Sequence, residues 1–231
     1  MDLKKPKEVV IVAGKTRLNA VFSFPSQARG VVAFAHGSGS GRLSPRNNFV
    51  ARVLQEAGIA TLLADLLEED EALDRRNVFD IDLLTERLIA NAQWLHQRSE
   101  TRDMPLGYFG ASTGAAAALQ AAAREPDGVT AVVSRGGRPD LAMDHLSFVR
   151  SPTLLIVGGE DRPVIPLNEL AYKELNCPKE MVILPGATHL FEEPGALGRV
   201  AELARDWFLK YFSPREEEVT EKREQRIPYR K

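Results

Sequence analysis

The amino-acid sequence predicts an α/β protein: a mostly parallel sheet of about eight strands with helices on both faces. Three observations carry this. Short apolar runs such as residues 30–35 (GVVAFA) lack polar alternation, as expected of strands covered on both sides. Between such runs lie stretches with apolar residues at helical spacing. After an opening hairpin the alternation is regular to residue 212, which implies parallel strands joined by helical crossovers.

The elements follow in order. Residues 8–13 and 18–24 read as paired strands around the Gly14-Lys15 turn. The strand at 30–35 is followed by a helix at 47–57, in which Phe49, Val50, Val53 and Leu54 share a face and Gly58 sits at the C-terminal cap. Residues 59–64 form a strand. Residues 66–78 are a long charged connection, a surface loop or a lid. Ile81, Leu84, Leu88, Ala92 and Leu95 mark a helix at 80–97. A strand at 104–110 leads into an Ala-rich helix at 113–124, and further strands lie at 129–134, 152–158 and 180–184. A last helix at 195–212 presents Leu197, Val200, Leu203, Trp207 and Tyr211. Residues 135–151 are too few for a large cap domain. Residues 1–212 therefore read as one domain, and the Glu-, Arg- and Lys-rich tail at 213–231 as a mobile, solvated terminus.

Composition narrows the function. With 231 residues, 44% hydrophobic, the chain can bury a large core without disulfides or metals. A net charge of −2 offers no basic excess for nucleic acid. The single cysteine, Cys177, excludes a disulfide within the chain. No apolar run has the length of a membrane span and no leader is visible at the N-terminus, so a cytoplasmic location is expected.

Parallel sheets bind ligands at the carboxyl ends of their strands, so the loops there are where chemistry is sought. Gly110-Ala111-Ser112-Thr113-Gly114 is a G-x-S-x-G pentapeptide between an apolar strand and a helix, the setting of a nucleophile elbow. A plain helix cap at Ser112 is the simpler alternative. His189, between the last strand and last helix, is the candidate general base, because imidazole can take a hydroxyl proton near neutrality. His96 and His145 read as structural or exposed. Asp161, directly after the strand at 152–158, is the candidate acid, with Glu160 as its neighbouring competitor. The run His36-Gly37-Ser38-Gly39-Ser40-Gly41 follows a strand end and can present backbone N–H groups. Ser38 and Thr113 are the expected oxyanion donors, and His36 is expected to shape the loop. No metal or organic cofactor is implied.

These motifs resemble those of the α/β-hydrolase superfamily, and within it the small, capless dienelactone hydrolase family. The matching stretches are HGSGSG (36–41), GASTG (110–114), GGED (158–161) and GATHLF (186–191). The resemblance implies the α/β-hydrolase fold. The namesake enzymes of that family carry a cysteine nucleophile where this chain has Ser112, so dienelactone does not follow as substrate. Relatives also occur beside or fused to phosphoribosyltransferase domains, which suggests such a partner.

The expected activity is hydrolysis of a small ester, lactone or thioester through an acyl-enzyme. Acyl transfer and C–C cleavage use the same triad, and a non-catalytic scaffold can share the fold. Arg42, Arg46 and Arg135 lie near the serine and could hold a substrate carboxylate or phosphate. Pairing with the acidic run Glu68 to Glu71 is the alternative.

Overall fold

The computed structural model describes residues 5–213. Strand β1 (Lys7–Ala13) and strand β2 (Thr16–Ser23) form an antiparallel hairpin, turned at Gly14 with φ of 64°. Strand β3 (Val31–Ala35) is buried at every position, as its unbroken apolar run requires. Helix α1 (Pro45–Glu56) starts at Ser44, whose hydroxyl accepts from Asn47 N–H, and leads to strand β4 (Ala60–Ala64).

Two short helices, α2 (Glu69–Leu73) and α3 (Arg75–Val78), occupy the connection expected to be a loop. Their reason is local. Glu68 and Glu71 form a reciprocal capping box, and Asp74 caps the second helix through Arg76 N–H. Neither buries a residue, so no apolar periodicity announces them. Helix α4 (Ile81–His96), strand β5 (Leu106–Ala111), helix α5 (Thr113–Arg124) and strand β6 (Ala131–Arg135) follow within two residues of expectation. A 3₁₀ turn (Pro139–Ala142) and helix α6 (Met143–Leu146) fill the short segment before strand β7 (Thr153–Gly158).

Helix α7 (Ile165–Glu174) is an addition to the expected elements. It buries only Asn168 and Ala171, so it carries no apolar stripe. Asn168 Nδ2 instead donates to the Gly137 and Val164 carbonyls, anchoring the helix through polar contacts. Strand β8 (Lys179–Leu184) and helix α8 (Ala196–Phe212) complete the domain.

The eight strands lie in the order β1-β2-β4-β3-β5-β6-β7-β8. Strand β2 runs antiparallel to β4, and β4 through β8 are parallel. Strand β5 is thus central, and all the parallel strands end at one edge. One core, with Tyr108, Leu88 and Leu119, fills the side covered by α4 and α5. The other, with Phe34, Phe109 and Phe208, fills the side covered by α1 and α8. Helix α5 buries ten consecutive residues, Thr113 to Ala122, and its alanines let neighbours approach from all sides. No described helix is long and apolar enough to cross a membrane. Among the described residues no large cap covers the strand ends. Apart from Ser213, the tail expected to be mobile lies outside the described residues.

Candidate active site

Ser112 joins the central strand β5 to α5, with φ of 52° and ψ of −121°. A non-glycine residue holds such a conformation only when its surroundings impose it, at a cost of about 1–3 kcal/mol. Here the surroundings are explicit. Ser112 N–H donates to Arg135 O (3.3 Å), and Ser112 O accepts from Ala115 N–H (3.1 Å) and Arg138 N–H (3.0 Å). The turn is tight enough to exclude a side chain at Gly114, where a Cβ would fall 2.1 Å from the Ala35 carbonyl oxygen. Ser112 caps nothing with its side chain, so its hydroxyl is not spent on the helix N-terminus.

His189 and Asp161 are brought together from the loops after β8 and β7. His189 Nδ1 lies 2.6 Å from Asp161 Oδ2. The carboxylate side chain is 9% exposed and the imidazole 39%, so the acid is enclosed and the ring reaches the surface. Asp161 is fixed by its own backbone: its N–H donates to Gly158 O, and its carbonyl accepts from Val164 and Ile165 at the start of α7. The helix without an apolar signature therefore supports the acid. Glu160, the competitor, turns outward to Arg162 (3.3 Å). The His189 loop is held by Phe191, 1% exposed, at φ of 56°.

Gly136 links the two halves of the site. It follows the residue whose carbonyl receives Ser112 N–H, and a Cβ on it would fall 3.5 Å from His189 Nδ1. Ser112 Oγ and the imidazole are not hydrogen-bonded to each other within 3.5 Å. Such contacts commonly tighten only when substrate binds.

The loop after β3 lies against the elbow. A Cβ on Gly37 would fall 2.7 Å from Ser112 Cβ and 2.9 Å from Ala111 O. The absence of a side chain there is what lets the loop lie against Ser112, with Ser38 the next residue. Neither Ser38 N–H nor Thr113 N–H donates to a backbone carbonyl among the described residues. His36 shapes this loop, as expected: its Nε2 accepts from Leu66 N–H (3.0 Å) and its Nδ1–H donates to Gly37 O (3.2 Å). This requires the neutral ring, and burial lowers its pKa below the usual histidine value, against smaller opposing effects of the Gly37 bond and Asp65.

A cavity of about 570 Å³ opens beside the same loop. Its walls include Gly37, Ser38, Thr113, Leu67, Val78 and Leu84. It meets the two candidate oxyanion donors, while Ser112 and His189 lie outside its lining. It is a chamber adjoining the candidate site rather than one lined by Ser112 or His189.

The arginines separate in space. Arg42 is bound by Asp65 through its guanidinium and its backbone N–H. Arg46 Nη1 meets Glu192 Oε1 at 2.9 Å. Arg135 is 8% exposed and makes no ion pair among the described residues. None of the three pairs with Glu68 to Glu71; Asp65 and Glu192, unremarked in the sequence, take two of them. Among the described residues no cluster of three or more His, Cys, Asp or Glu side chains has metal-binding geometry. Cys177 is buried beside Thr153, the first residue of β7, and so lies at the opposite end of the strands from these loops.

Comparison with known proteins agrees with this architecture. Residues 18–214 match the Dienelactone hydrolase family. The crystal structure of dienelactone hydrolase from Anabaena variabilis is 54% identical and superposes with a TM-score of 0.86, covering 90% of this chain and 99% of that one. Est1E from Butyrivibrio proteoclasticus, 17% identical, shares the fold with a TM-score of 0.78 over 90% of this chain and 99% of its own. Mycobacterium tuberculosis proteins bearing the name of a phosphoribosyl transferase are 54% identical over 208 residues, 90% of this chain and 47% of theirs. The chain thus spans about half the length of those curated relatives. It belongs to the dienelactone hydrolase family, hydrolases of the α/β-hydrolase fold.

Proposed function

We propose that the chain is a serine hydrolase that cleaves a small ester, lactone or thioester through an acyl-enzyme, with Ser112 as nucleophile, His189 as base and Asp161 as its orienting acid. The observation that carries the reading is the His189–Asp161 hydrogen bond of 2.6 Å at the same edge as a serine held at φ 52°.

The chemistry follows from the atoms. Asp161 accepts a hydrogen bond from Nδ1–H, which leaves Nε2 as the unprotonated nitrogen. Ser112 Oγ attacks the acyl carbon as Nε2 takes its proton. The carboxylate stabilises the imidazolium that forms. The carbonyl oxygen becomes an oxyanion, received by Ser38 N–H and Thr113 N–H, the latter at the positive end of α5. Collapse expels the alcohol or thiol, protonated by His189, and leaves the acyl group on Ser112. Water then enters with His189 again as base, and the acid is released. The neighbouring 570 Å³ cavity receives one arm of the substrate.

The test is direct. An activated ester such as p-nitrophenyl butyrate should be hydrolysed by the wild type, and intact mass spectrometry after rapid acid quench should find one acyl group on the protein. Ser112→Ala should abolish both. The name and length of the mycobacterial relatives further support pairing of this domain with a phosphoribosyl transferase unit; co-purification of the two from cells expressing both tests that.

A further inference from the structure

Asn168 sits in the interior of α7 with no exposed surface, at a position where helices ordinarily bury an apolar side chain. Its Oδ1 is enclosed without a partner, so the amide is retained at a cost in stability. What it supplies is a nitrogen with two hydrogens, and both go to backbone carbonyls: Val164 O and Gly137 O, each at 3.0 Å. The two acceptors belong to different parts of the candidate site.

Val164 closes the turn that carries the acid. Its N–H and that of Ile165 donate to Asp161 O, at 2.9 and 3.2 Å. Gly137 belongs to the segment that grips the nucleophile. Before it, Arg135 O receives Ser112 N–H; after it, Arg138 N–H donates to Ser112 O. Gly137 itself is wedged between β6 and α5: a Cβ there would fall 2.0 Å from Ser134 Oγ and 2.6 Å from Ala115 Cβ. Its carbonyl is therefore a fixed point, and the Asn168 amide ties the acid's turn to it. The turn of Asp161 and the turn of Ser112 are thus joined through backbone and one side-chain amide, without His189.

We propose that Asn168 is a positioning residue of the triad, setting Asp161 against His189 by tying the acid's turn to the segment that holds Ser112. The residue type fits the task. Leucine has a similar volume and no donor, aspartate has no N–H, and serine has one donor for two carbonyls. The stake is catalytic, because a misplacement of about 1 Å among reacting groups can cost about a hundredfold in rate. This inference rests on the serine-hydrolase reading for its effect on rate, while its effect on the Asp161–His189 hydrogen bond is testable without turnover.

A double-mutant cycle with Asp161→Asn, read on p-nitrophenyl butyrate, provides the activity test. Asn168→Leu should lower kcat at least about tenfold while KM moves by less than about threefold, since substrate contacts are untouched. In the Asp161→Asn background the same substitution should cost less than about threefold in kcat, because the residue it acts through is already disabled. A merely structural asparagine would lower Tm and leave kcat of the folded protein unchanged, or would cost the same factor in both backgrounds; either result overturns the proposal and leaves the hydrolase intact. Should Asn168→Leu fail to fold, Asn168→Ser takes its place in every measurement. Proton NMR reads the geometry itself. The His189 Nδ1–H held by Asp161 should resonate far downfield and be lost in Asp161→Asn, and Asn168→Leu should shift it upfield or broaden it. A resonance identical in wild type and folded Asn168→Leu overturns the positioning role whatever the activity. A wild type that hydrolyses nothing, with the resonance displaced by Asn168→Leu, overturns the hydrolase and leaves the positioning role.

Discussion

His189 and Asp161 are 28 residues apart in the chain and 2.6 Å apart in space, with the carboxylate enclosed and the ring at the surface. Asp161 follows β7 and His189 follows β8, and the parallel pairing of those strands delivers both loops to one edge. Replacing the carboxylate by an amide keeps the shape and loses the charge. Asp161→Asn should therefore lower kcat on p-nitrophenyl butyrate by about three to four orders of magnitude, with circular dichroism unchanged. A loss of less than tenfold would remove Asp161 from the triad.

The contact between Gly37 and Ser112 sets the second prediction. A methyl group on Gly37 meets Ser112 Cβ at 2.7 Å and a backbone oxygen at 2.9 Å, so the loop carrying Ser38 must move away. Gly37→Ala should cost about a hundredfold in kcat, the scale of losing one oxyanion donor, with a smaller change in KM. Steady-state kinetics on the same ester separate the two.

A stability prediction isolates the elbow from the rest of the fold. At Gly114 an added Cβ would fall 2.1 Å from Ala35 O, and backbone cannot yield as a side-chain tip can. Gly114→Ala should destabilise the domain by about 3 kcal/mol in urea denaturation. Gly198, in α8, has nothing within 4 Å of its Cβ position. Gly198→Ala should stabilise by up to about 1 kcal/mol through helix propensity alone.

His36 predicts a pH effect on folding. Its ring is neutral in the fold, with a pKa below the ordinary histidine value, chiefly through burial. As pH falls below about 6.5, the unfolded chain gains a proton that the folded chain resists. The stabilisation is thus complete above that pH and is lost as pH falls toward the depressed folded value. Wild-type Tm should drop more steeply between pH 7 and pH 5 than that of His36→Gln, which can still accept from Leu66 N–H.

Much of this architecture is legible in the chain because the buried strands and amphipathic helices carry strong periodic signals. Strand β3 and helices α4, α5 and α8 lie within one residue of where their apolar patterns place them. Helices α2, α3 and α7 are not legible that way. The first two are made by capping carboxylates with nothing buried, and α7 is held by Asn168. At the site, motif and chain order bring Ser112, His189 and Asp161 to one edge, since each follows a strand. The arginines look alike in the sequence, and only tertiary structure separates them. Asp65 lies 23 residues from Arg42 and Glu192 lies 146 from Arg46, and no local pattern marks either pairing. The Phe191 ring that lies over Arg135 comes from a loop 56 residues later.

The central claim is that Ser112 is an activated nucleophile, and labelling by a fluorophosphonate probe measures that without knowledge of the substrate. Folded wild-type protein should be labelled once, at Ser112, with Ser112→Ala unlabelled and His189→Ala labelled far more slowly. Wild-type protein that stays unlabelled while folded, or label that persists in Ser112→Ala, would contradict the account.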